Sequence, residues 1–162
     1  PREPDSEEKG GPQPTGTNAR AGEEILRDQQ NRSSTGQRHT ETILITEDEI
    51  GVRGVTVRYL TRLGYHVIEA ASGEELLQRI ATYPGNAHLL ISDVIMPGMD
   101  GQTLFRKVQD RFEGIKVLFM SGYADDRIAA YGVLNEDQPL LRKPFKLEVL
   151  ASTIRETLDE AR

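Results

Sequence analysis

The chain has 162 residues and a formal net charge of −6, enough for one domain and a tail. It contains no cysteine, which excludes disulfides, thiolate metal sites and cysteine nucleophiles. The acids are scattered and no basic stripe accompanies them, so nucleic acid is not an expected partner.

No apolar run reaches membrane-spanning length and no signal peptide is evident, so this segment is expected to make no membrane contact and to suit the cytoplasm. Residues 1–40 read as a disordered linker. Their only apolar side chains are Ala19, Ala21, Ile25 and Leu26, beside four of the eight prolines. That is too little apolar surface to offset the entropy of ordering. The expected domain therefore covers residues 41–162. The first residue is Pro rather than Met, which suggests a piece of a longer protein.

Order is expected from Thr42-Ile-Leu-Ile-Thr46, a β-branched run typical of a buried strand, which runs into Glu47-Asp48-Glu49. Val52, Val55, Tyr59, Leu60 and Leu63 then fall at helical spacing, and Gly64 stands where a helix ends. Tyr65 to Glu69 is the second predicted strand. Ser72-Gly-Glu-Glu75 has capping-box spacing and opens a helix through Leu76, Leu77 and Ile80.

After a Tyr83–Asn86 turn, Leu89 to Ser92 is the third predicted strand, followed by Asp93 and a Pro97/Gly98 loop. Leu104, Phe105, Val108 and Phe112 mark a helix, Lys116 to Met120 a strand that runs into Ser121, and Ala124 to Val133 a short helix. Leu140-Leu141 is a fifth strand before Lys143 and Pro144. Leu147, Leu150, Ile154 and Leu158 mark a last helix. Five βα repeats predict an α/β fold: a doubly wound five-stranded parallel sheet with helices on both faces.

In such a sheet all strands end at one edge, where ligands bind. That edge would gather Glu47 and Asp48, Asp93, Ser121 and Lys143 from four different strand ends. A single surface acid is usually just a solvated loop residue; polar groups at four of five strand ends are harder to dismiss. Three carboxylates in one pocket repel and raise one another's pKa. Mg²⁺ removes that problem, since it takes oxygen ligands and keeps several waters. Zinc is disfavoured, because His39, His66 and His88 all lie away from that edge. A metal beside Asp93, with Lys143 and Ser121 on the same group, suits phosphoryl transfer to a carboxylate nucleophile.

Four stretches carry a resemblance: Ile43-Leu-Ile-Thr-Glu47-Asp48-Glu49, Ile91-Ser-Asp93-Val-Ile-Met-Pro97-Gly-Met-Asp-Gly101, Val117-Leu-Phe-Met-Ser121-Gly-Tyr, and Leu141-Arg-Lys143-Pro144-Phe145. Spanning residues 41–160, they resemble the receiver (response-regulator) domain of two-component signalling. The resemblance implies a flavodoxin-like strand order of 2-1-3-4-5 and an Asp93 that accepts a phosphoryl group from phosphohistidine. It also implies Mg²⁺ on Glu47, Asp48, Asp93 and the Ile95 carbonyl, with Ser121 and Lys143 on the phosphoryl oxygens. The Lys143–Pro144 peptide is expected to be cis. The partner would be a histidine kinase or histidine phosphotransfer domain, and a weak homodimer is allowed.

Two departures or additions shape the expectations. Glu47 replaces the family's frequent Asp, and its longer arm still reaches a metal. Leu140 replaces the switch aromatic three residues before the lysine. Either it mutes the usual conformational readout or it simply packs as core. Tyr123 and Ile95, both bulky, are positioned to flank the phosphoryl group and to slow its hydrolysis.

A tether in front and no output domain behind resemble the C-terminal receiver of a hybrid sensor histidine kinase; a stand-alone receiver is the alternative. No kinase ATP-binding motif is present, so the chain is expected to catalyse only its own phosphorylation and dephosphorylation. Other classes fit less well. An aspartyl-nucleophile phosphatase of haloacid-dehalogenase type would need Asp where Ile95 stands. A flavin binder would need a phosphate loop where Glu47-Asp48-Glu49 would repel it. A non-phosphorylated interaction module stays open.

Overall fold

The computed structural model describes residues 39–122 and 137–160. The expected tether up to residue 38, Tyr123 and the helix expected over 124–133 lie outside the described residues. In chain order the elements are β1 (Thr42–Thr46), α1 (Ile50–Arg62), β2 (His66–Ala70), α2 (Gly73–Ala81), β3 (Leu89–Asp93), α3 (Gly101–Arg111), β4 (Lys116–Ser121), β5 (Leu140–Arg142) and α4 (Leu147–Asp159). The strands form one parallel sheet in the order β2-β1-β3-β4-β5, as expected.

Alternating strand residues feed two cores, one on each face of the sheet. Leu44, Leu90, Val117 and Phe119 pack with Leu76 and Ile80 of α2 and Leu104, Phe105 and Val108 of α3. Ile43, Ile45, Leu89, Ile91, Leu118 and Met120 pack with Leu60 of α1 and Leu150 and Ile154 of α4.

Strand ends differ from expectation by one residue, and the difference matters. β2 is shifted one residue later. β3, β4 and β5 each run one residue further, because ladder pairing continues through Asp93↔Met120 and Ser121↔Arg142. Asp93 and Ser121 are thus the last residues of strands, held by the ladder, and not the first residues of loops.

Helix ends follow local chemistry. Gly64 has φ of 100° and closes α1, its N–H on Thr61 O and the Tyr65 N–H on Leu60 O, which is a Schellman ending. Ser72 Oγ accepts from Glu75 N at 3.1 Å, while the Glu75 carboxylate reaches past the cap to Ala71 N at 2.9 Å.

The apolar stripe expected on α1 is rotated. Thr56 and Leu60 are the buried residues, Val57, Tyr59 and Leu63 flank them, and Val55 is exposed. Arg53, one turn ahead, faces inward to partners described below, and this turns Val52 and Val55 toward a surface groove.

The amino edge of the sheet is polar. His88 Nδ1 accepts the buried Thr42 N–H at 2.9 Å, and the His88 N–H returns a bond to Thr42 O. His88 is therefore a bonded member of the strand start. Removing that acceptor with His88→Ala should strand a buried donor and cost about 1–3 kcal/mol in urea unfolding.

Candidate functional site

Glu47 follows β1 directly, Asp93 ends β3, Ser121 ends β4, and Lys143 follows β5. All lie at the carboxyl edge of the sheet. Carboxylate oxygens of Glu47, Asp48 and Asp93 lie within 4.8 Å of one another. Glu47 is 1% exposed and Asp93 7%, whereas Asp48 is open to solvent. Lys143 Nζ pairs with Glu47 Oε2 and lies 2.8 Å from Asp93 Oδ1. Three carboxylates thus face one ammonium.

That imbalance shows in the proton affinities. Burial, together with the charges of Glu47 and Asp48, pushes Asp93 up to about 6 in spite of the hydrogen bond and charge from Lys143. Burial opposes the Lys143 ammonium, but hydrogen bonds and charges from Asp93 and Glu47 outweigh it and hold its pKa above the usual value. Ser121 Oγ is buried with no hydrogen-bond partner among the described residues, an orphan polar atom beside the acids' edge. Buried hydroxyls ordinarily find partners.

The loop after β3 is fastened at both ends. Val94 N–H donates to Met120 O at 3.0 Å and Gly101 N–H to Val94 O at 2.9 Å. Gly98 turns the chain at φ +80°. Asp100 caps α3 by accepting the Thr103 N–H at 2.7 Å. Gly101 then packs against the Asp93 carbonyl itself. A Cβ there would overlap that oxygen and meet the Phe119 ring and Ser92 Oγ, each at 3.1 Å. Gly101→Ala should therefore displace the end of β3, destabilise the fold by about 1–3 kcal/mol in denaturant unfolding, and weaken Mg²⁺ binding.

The other expected residues are placed as follows. Ile95 lies two residues past Asp93 with a half-exposed side chain. The Lys143–Pro144 peptide is cis. Leu140 starts β5, pairs with Phe119 and packs, partly buried, on the α2/α3 side of the sheet. Tyr123 lies outside the described residues. Arg53 was not expected near the site. Its side chain is largely buried and donates from Nη1 to Glu47 O at 2.6 Å.

Comparison with known proteins decides the family. Residues 43–155 match the model of the response regulator receiver domain. The chain belongs to the response regulator receiver family. It is 43% identical over 119 residues to the sensor kinase CckA of Brucella abortus, covering 74% of this chain and 13% of that kinase. It is 32% identical to the response regulator receiver protein CpdR of the same organism, covering 72% of this chain and 95% of that protein. The solved receiver domain of the hybrid histidine kinase CckA superposes with a TM-score of 0.60 at 38% identity, covering 73% of this chain and 99% of that one.

The chemotaxis response regulator CheY4 of Vibrio cholerae gives 0.62 at 26%, covering 74% and 100%. The chain is thus a receiver domain of two-component phosphorelay signalling. Among the described residues, no helix is long and apolar enough to cross a membrane.

Proposed function

We propose that Asp93 is the phosphoacceptor of this receiver. The observation that carries the reading is the buried Asp93 carboxylate at the end of β3, 2.8 Å from Lys143 Nζ and grouped with Glu47 and Asp48. The donor set fits a hard divalent cation: three carboxylate oxygens within reach of one another and too little positive charge among them. Glu47, Asp48 and Asp93 would hold Mg²⁺, with the Ile95 carbonyl as a further ligand. When bound, the ion would supply positive charge against the phosphoryl oxygens.

The side chains do the rest. An Asp93 oxygen attacks phosphorus in line as the P–N bond to a histidine imidazole breaks, and the imidazole leaves with the electron pair. Lys143 Nζ neutralises one phosphoryl oxygen, and Ser121 Oγ, already desolvated and without a partner among the described residues, donates to another. Ile95, half-exposed two residues past Asp93, hinders the water that would later hydrolyse the acyl phosphate.

The donor is the phosphohistidine of a histidine kinase or histidine phosphotransfer domain. A groove of about 780 Å³ supports this, because it is lined by Val52, Val55, Phe145 and Leu147 and reaches Lys143. Ile50, 77% exposed, lies next to it on α1. Such a groove offers apolar contact to a domain that must bring its imidazole to Asp93. The identity with the CckA sensor kinase supports a place within a hybrid sensor histidine kinase.

The test is intact-mass measurement after incubation with Mg²⁺ and phosphoramidate. The reading expects a gain of one phosphoryl group that EDTA prevents. A chain that gains nothing, or gains it equally in EDTA, contradicts the reading.

A further inference from the structure

The two acids that follow β1 are unequally held. Every polar group of Glu47 is engaged. Its N–H donates to Ala70 O at 3.2 Å, and Oε1 accepts the Glu49 N–H at 3.0 Å. Oε2 pairs with Lys143, and its carbonyl accepts from Arg53 Nη1 at 2.6 Å. The neighbouring Asp48 carboxylate is exposed and has no hydrogen-bond partner among the described residues. What aims Asp48 toward Glu47 and Asp93 is thus the backbone that carries it.

The carbonyl gripped by Arg53 belongs to the Glu47–Asp48 peptide. A planar peptide with a fixed carbonyl also fixes the following Cα, the point from which the Asp48 side chain starts. Arg53 is suited to grip it. It sits on α1, its own N–H bonded to Glu49 O at 2.9 Å, and its side chain is only 16% exposed. Its other partner, Glu69 on β2, is 3.4 Å away and 42% exposed, a loose pair of small worth. The tight bond goes to the loop.

We infer that Arg53 is a positioning residue for the divalent-cation site: it holds the Glu47–Asp48 peptide so that Asp48 is directed at the ion. Glu69 is a weaker second partner that offsets part of the guanidinium's charge. This inference rests on the cation site proposed above. It makes a prediction opposite in sign to electrostatics. Removing a nearby cation would by charge alone tighten Mg²⁺ binding; losing a positioning contact loosens it.

The experiment is calorimetric titration of the full chain with MgCl₂, comparing the parent with Arg53→Met, Arg53→Lys and Glu69→Gln. Losses of metal affinity on removing an orienting contact run from about ten-fold upward, and about ten-fold is the loss expected for Arg53→Met. Arg53→Lys keeps the charge and one donor and should fall between parent and Met, with Glu69→Gln showing a loss of about two-fold. At saturating Mg²⁺ the rate of phosphorylation by phosphoramidate should return to the parent's in all three, because the defect lies in holding the ion.

Arg53→Lys carries the test if Arg53→Met does not fold, because charge alone predicts no loss in it. Unchanged or tighter Mg²⁺ binding in the variants, with the parent binding normally, overturns the role of Arg53 alone. A parent that binds no Mg²⁺ overturns the cation site and this inference together.

Discussion

Lys143→Met is expected to leave a folded chain that is markedly less stable at pH 7 without metal and nearly unable to take up a phosphoryl group. Lys143 is the sole ammonium paired with Glu47 and Asp93 among the described residues, and both acids are buried. Removing one partner of a buried ionic cluster leaves uncompensated charge, which costs about 2–4 kcal/mol here after allowing for the partial exposure of Lys143.

Two conditions should restore stability: acid, because Asp93 then takes up a proton, and Mg²⁺, because it replaces the missing charge. Neither should restore chemistry, since a fixed positive group on the phosphoryl oxygens is worth about 100-fold or more in rate. Urea unfolding at pH 5 and 7, with and without MgCl₂, measures the first part. Rates of phosphoramidate uptake at saturating Mg²⁺ measure the second. A variant as stable as the parent at pH 7 would show that Lys143 does not hold the acids together.

The second large effect concerns Asp93 and pH. Its folded pKa of about 6 lies above the ordinary 3.8, with burial the first cause. A carboxyl with a raised folded pKa binds its proton more tightly in the folded state. Stability from this group is therefore greatest below about pH 4 and falls as pH rises through about 6, by about 1–3 kcal/mol for a shift of this size. The metal-free chain should lose stability over that window from this group. Asp93→Asn should abolish that part of the slope and be the more stable protein at pH 7 without Mg²⁺.

Added Mg²⁺ should flatten the parent's profile by favouring the carboxylate. The rate of phosphoryl uptake should drop below about pH 6 at low Mg²⁺, with the midpoint moving to lower pH as Mg²⁺ rises. Melting temperatures of parent and Asp93→Asn from pH 4 to 8 in EDTA check the central part; parallel profiles would contradict it.

Much of this arrangement is legible in the residues. Short continuous apolar runs end in polar residues, and parallel topology brings such ends to one edge. Glu47, Asp48, Asp93, Ser121 and Lys143 could therefore be grouped before any coordinates. The family motifs carried the rest, including the cis Lys143–Pro144 peptide, which the structure contains.

The features that stayed hidden depend on partners distant in sequence or on shape. Arg53 on a helix reads as an ordinary solvated charge, and only the fold shows that it reaches the Glu47 carbonyl. That inward arginine also explains why the periodicity of Val52 and Val55 misassigned the buried face of α1. A glycine such as Gly101 gives no sequence signal that its missing Cβ would strike the Asp93 carbonyl. His88 is legible only as a histidine away from the carboxyl edge, and its bond to the Thr42 N–H depends on the register of β1 and β3.

The role of Leu140 is a question of two states. In this structure Leu140 pairs with Phe119 and packs, partly buried, against the core on the α2/α3 side. A muted switch further expects only small spectral shifts at Leu140 and beyond on adding beryllofluoride.

The claim on which the rest depends is that phosphoryl transfer ends on Asp93. The most direct measurement is to load the chain from a phosphorylated histidine phosphotransfer domain in Mg²⁺, reduce it with borohydride, and sequence the peptides by mass spectrometry. Reduction converts an aspartyl phosphate to homoserine. The account predicts homoserine at position 93, and none in Asp93→Asn. Homoserine at Asp48, or a stable phosphate on Ser121, would contradict it.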